Sequence, residues 1–108
     1  MLRLVTLAAL LMALTVSATA DAYPRPPKMP GTTRGAKRCG TVKRYGYTFR
    51  VFVVKNHRVS CRTARTVARR GVNARGWTSF DWTKGGNGPW SDVWLRHDRH
   101  AVVAIINA

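Results

Sequence analysis

The amino-acid sequence predicts an α+β fold: a small antiparallel sheet of four or five strands with one helix packed on it and one disulfide. Three observations lead there. Residues 60–71 read as a single short helix, with Ser60 as an N-cap whose hydroxyl accepts an otherwise unpaired backbone N–H and Gly71 as the residue that turns left-handed at its end. On both sides of it, apolar residues alternate or run in stretches of strand length, bounded by turn chemistry. The chain has two cysteines, Cys39 and Cys61, and a bridge between them would clamp the start of the helix to the start of the preceding strand.

Taken in order, residues 1–20 have the three parts of a secretory signal peptide: a basic start at Arg3, an apolar run from Leu4 to Val16, and small residues at Ala18 and Ala20. The run is shorter than the roughly 20 residues that cross a bilayer. Export is therefore expected, with the product secreted or held at the cell envelope, and an oxidising compartment lets a disulfide persist. By loop entropy that bridge would contribute about 3 kcal/mol. Residues 21–38 hold Pro24, Pro26, Pro27 and Pro30 among basic residues, with almost nothing to pack, and read as a basic linker. The domain proper is expected over residues 39–108.

Within it, Thr41–Arg44 starts a strand, Tyr45-Gly46 turns the chain, and residues 47–54 alternate, with Tyr47, Phe49, Val51 and Val53 on the face expected to meet the core. In the helix, Cys61, Ala64 and Ala68 share a side with Val67 beside them, while Arg62, Arg65 and Arg69 line another. Residues 72–76 read as a loop and residues 77–82 as a strand. Residues 83–89, rich in glycine, read as the most flexible stretch of the domain. A second hairpin is expected from Ser91–Arg96 and Ala101–Ile106 across residues 97–100. Its last strand is apolar on both faces, as a central strand covered on both sides would be.

The charge is lopsided: 19 Lys+Arg against 4 Asp+Glu, a formal +15. Arginine richness beside alanine, glycine and valine is also what a GC-rich genome writes, but that does not account for the scarcity of acids. Self-repulsion at this density favours a polyanionic neighbour. The four tryptophans, Trp77, Trp82, Trp90 and Trp94, are more than one small core needs, and Trp90, beside Pro89 at the end of the glycine loop, is the one expected at the surface. Together with Lys84 and with Arg62, Arg65 and Arg69, it would make a basic and aromatic ligand-binding surface, the alternative for the arginines being a solvated helix face.

Catalysis is not expected. His97-Asp98-Arg99-His100 is the one dense titratable cluster, and it reads as a polar hairpin turn rather than an acid–base pair or half a metal site. No serine sits in a nucleophile elbow, and the glycine loop lacks the Lys-Ser/Thr of a phosphate loop. Two histidines with arginines would suffice for RNA cleavage through a 2′-hydroxyl, a minor alternative. No cofactor or metal is expected: with the two cysteines in a disulfide, three histidines fall short of the four ligands zinc takes.

At Cys39-Gly40-x-Val42, Val59-Ser60-Cys61-x-x-Ala64-Arg65 and Gly76-Trp77 the chain resembles a group of small exported actinobacterial proteins with a signal peptide, a hairpin, a disulfide to the helix start and a closing apolar strand. The resemblance implies this layout and no particular activity. Many such sequences carry a second cysteine pair, one member just after the Gly-Trp; here Thr78 and Ser79 stand in that place. A second likeness, Arg96-His97-Asp98-Arg99 before an apolar strand, is similar to potato-inhibitor-I protease inhibitors and would make Arg96 and Arg99 braces of a reactive loop at residues 87–93. The expectation from the whole chain is a secreted, non-catalytic basic domain that binds an anionic polymer, a glycan or a membrane surface. Sequence-specific nucleic-acid recognition is not expected.

Overall fold

The structure, a computed structural model, describes residues 24–108; the expected signal peptide lies outside the described residues. The fold is the predicted α+β arrangement with all five strands present. They are β1 (Lys37–Arg44), β2 (Tyr47–Lys55), β3 (Trp77–Asp81), β4 (Asp92–Arg96) and β5 (Val102–Asn107), with helix α1 (Cys61–Arg70) and a single 3-10 turn, Gly71–Asn73, between β2 and β3. The sheet runs β1-β2-β5-β4-β3, and every neighbouring pair is antiparallel.

The helix forms where its caps say. The Ser60 hydroxyl accepts the Thr63 N–H at 3.1 Å, and Gly71 (φ 59°) ends the helix with its N–H on the Val67 carbonyl. Ala64, Val67 and Ala68 are the buried face, and they pack with Val51, Val53, Val103 and Ile105 of the sheet. Trp94, 1 % exposed, donates its indole N–H to the Gly71 carbonyl at 3.0 Å and so ties the helix end to β4. At the other end, Cys61 is bonded to Cys39, with 4.9 Å between their Cα atoms. A bulge aims Cys39 there: the β1–β2 register shifts between Arg38 and Thr41, and Gly40 takes the left-handed backbone (φ 79°) that the extra residue needs. Cys39 and Val42 consequently face the same core. The β1–β2 hairpin closes through Tyr45 (φ 49°) and Gly46 (φ 81°), both left-handed, the geometry of a type I′ turn.

Three expectations need correction. The alternation in β2 points to one core face, yet Phe52 is as buried as Val51 and Val53, while Tyr47 at the hairpin end is 62 % exposed. The sheet has a second core, in which Phe52, Val93, Leu95, Val102, Ala104 and Ile106 meet Met29 and Trp90. That second core corrects the basic linker: residues 24–36 form a strap across the sheet face that the helix leaves bare, and β1 begins at Lys37. Proline suits such a strap, because a segment laid over a sheet face has no strand to pair with, and proline brings no N–H to satisfy.

The glycine loop after β3 is also anchored. Trp82 donates its indole N–H to the Asn87 carbonyl at 3.1 Å, and the Asn87 amide donates to the Met29 carbonyl at 2.7 Å. Gly86 lies flat against the Trp82 ring, where a Cβ would collide, and Gly88 (φ 81°) leaves room for the Pro30 carbonyl. Among the described residues, no helix is long and apolar enough to cross a membrane.

Candidate functional site

The five residues expected to form one surface do not converge. Trp90 is 3 % exposed: it is a core residue of the strap side, edge-on to Phe52 at 5.5 Å between ring centroids, with its indole N–H on the Pro30 carbonyl at 2.9 Å. The strap that buries it returns from far back in the chain. Lys84 is exposed beyond the end of β3 remote from Trp77. Arg65 is half-buried, donating to the Cys39 carbonyl at 3.0 Å beside the disulfide. Arg69 is exposed one turn further along the same row.

Of the five, Arg62 lies at a concave surface. It opens a groove of about 260 Å³ between the outer side of α1 and the chain leading into β3, lined by Arg62, Thr63, Thr66, Val67, Arg70, Ala74, Arg75 and Trp77. Helix spacing puts Arg62, Thr66 and Arg70 in one i, i+4, i+8 row, so the two arginine Cα atoms stand about 12 Å apart along the axis at 1.5 Å per residue. The 3-10 turn after Gly71 swings the chain back, burying Ala74 as part of the groove floor and bringing Arg75 and Trp77 up as the facing wall. Trp77 is half-buried, and the Arg96 guanidinium opposite it on β4 sits 5.9 Å from its ring centroid. Arg96 is oriented in turn by its ion pair with Asp98 at 2.7 Å.

No carboxylate lines the groove. Guanidinium groups in such a set can offer paired N–H donors to phosphate, sulfate or carboxylate, and an indole face can take a sugar ring or an apolar spacer. Sequence reasoning missed Arg70, Arg75 and Trp77. The Arg62/Arg70 row was readable from helical spacing. That Arg75 and Trp77 fold back against it depends on the 3-10 turn, which leaves no pattern in the sequence.

Residues 97–100 form the expected turn. The Asp98 carboxylate accepts the His100 N–H at 2.9 Å, Arg99 is left-handed (φ 67°), and both histidines are exposed. The bonds from the Arg96 side chain and the His100 N–H hold the Asp98 carboxyl below the usual carboxylate range. Asp81, at the end of β3, is lowered in the same way by the Thr83 hydroxyl and N–H. Among the described residues, no group of three or more His, Cys, Asp or Glu side chains could hold a metal ion. Of the two arginines expected as braces, Arg96 is engaged with Asp98 and Trp77, while the loop after residue 86 is held to the strap by Asn87 and Trp90. Comparisons with protein-family models, curated proteins and solved structures find no match to this chain.

Proposed function

We propose that this chain is a secreted, non-catalytic basic domain that binds a polyanionic or glycan partner at the cell envelope, and that the groove beside α1 is where it binds. The observation that carries the reading is the convergence of Arg62, Arg70 and Arg75 on Trp77 with no carboxylate on the walls. Among the described residues a single ion pair, Arg96–Asp98, offsets the positive charge, so the groove cations act on whatever enters rather than on neighbours. An extended polymer fits better than a small anion, because the charges are spread along about two turns of helix.

The test is binding of a teichoic-type polymer or heparin to the purified chain across a salt series. Three arginine contacts give a slope of about −2 in log K against log salt, at roughly 0.7 per neutralised phosphate. Arg62→Ala with Arg75→Ala is expected to remove most of that slope while the fold, read by circular dichroism, is unchanged. Absent binding at low salt, or binding indifferent to both salt and the double variant, overturns the proposal.

A further inference from the structure

We infer that the chain has a second anion site, on the opposite face of the sheet, for a phosphate-bearing group, and that filling it fastens the strap. The site is a pocket of about 320 Å³ where the strap crosses the β4–β5 turn. Arg25 and Lys28 come from the strap, Lys55 from the end of β2 and Arg99 from the turn, around a floor that includes Leu95 and Val102. No acid lines it. This inference stands apart from the groove reading, because none of these residues touches the groove.

Two backbone irregularities converge on the pocket. The β2–β5 register shifts between Val53 and Lys55, so that two residues of β2 oppose one of β5. Strict alternation from Val53, which faces the helix, would turn Lys55 toward the helix as well; the bulge swings it to the strap side, over Val102. Arg99 holds a left-handed backbone (φ 67°), which favours glycine or asparagine over arginine. Both irregularities place a cation at one pocket: the bulge carries Lys55 there, and the left-handed residue of the β4–β5 turn carries Arg99. Four like charges in so small a volume repel, and an anion seated among them replaces that repulsion with charge-assisted hydrogen bonds. Since Arg25 and Lys28 lie on the strap, the anion bridges strap to sheet.

The experiment uses inorganic pyrophosphate as probe, with a poly(glycerol phosphate) as a second arm to distinguish a free oligophosphate from a phosphodiester chain. Calorimetry at low salt is expected to show saturable pyrophosphate binding, weakened about tenfold or more by Lys55→Gln with Arg99→Asn. Asparagine keeps the left-handed backbone accessible, so that variant should retain the fold. Arg62→Ala with Arg75→Ala should leave pyrophosphate affinity within about twofold, which separates failure of this site from failure of the groove. Amide exchange in residues 24–36 should slow when pyrophosphate is added to the wild type and not to the Lys55→Gln, Arg99→Asn variant. If the polymer alone shows this dependence on Lys55 and Arg99, the site takes a phosphodiester segment. Binding of neither probe, or binding that ignores Lys55 and Arg99, overturns the inference.

Discussion

Asp81, Asp92 and Asp98 sit in one chain and are pushed in different directions. Asp81 and Asp98 are held low by hydrogen bonds to their ionised forms, whereas half-buried Asp92 on β4 is pushed up, chiefly because burial disfavours its charge. Arg44 pulls it back and Asp81, its cross-strand neighbour, adds to the rise. A carboxyl that binds its proton more tightly folded than unfolded weakens the fold at neutral pH, and that loss fades as pH falls through its folded pKa. Asp92→Asn is therefore expected to raise the urea midpoint at pH 7, with the gain over wild type shrinking toward zero below about pH 4, where the unfolded-state carboxyl is protonated too. A variant weaker than wild type at pH 7 would mean that attraction to Arg44 outweighs the burial. Trp90 teaches a different lesson at this scale. Its neighbours in sequence, Gly88 and Pro89, suggest an exposed loop end; what buries it is Pro30, 60 residues away, and no local pattern encodes that return.

At the scale of elements, the helix was legible because its signals are local: Ser60, Gly71 and the Ala64/Val67/Ala68 stripe all act within a few residues. The central position of β5 was legible too, since Val102–Ile106 offers apolar side chains to both faces. The strap was not. Its prolines and cations have the composition of a linker, and its one strong apolar anchor, Met29, gains meaning only against the bare face formed by β2, β4 and β5. Met29→Ala is expected to cost about 2–4 kcal/mol and to shift tryptophan emission to the red, as Trp82 and Trp90 lose cover. A variant with unchanged urea midpoint and emission would show that the strap is not part of the folded core. The groove was half legible for a related reason: the helix row of Arg62 and Arg70 is periodic, while Arg75 and Trp77 reach it through an aperiodic turn.

For the molecule as a whole, charge and fold oppose each other. With 19 Lys+Arg against 4 Asp+Glu, self-repulsion acts in the compact state more than in the expanded one, and salt screens it within a Debye length of about 10 Å at 0.1 M. Raising sodium chloride from 10 to 300 mM is thus expected to raise Tm even as it weakens polymer binding. A Tm that falls with salt would show that specific ion pairs, rather than net repulsion, govern the electrostatics of the fold.

The strand order has a kinetic side. β1 and β2 form one hairpin, β3 and β4 another segment of sheet, and among the described strands the two are paired through β5, which follows both in sequence and sits between them. A growing polypeptide that stops short of Val102 holds two half-sheets with no strand between them, linked through the helix, and the facing edges of β2 and β4 stay unpaired. Completion of the sheet must therefore wait for β5, which forms its long-range pairings with β2 and β4 together.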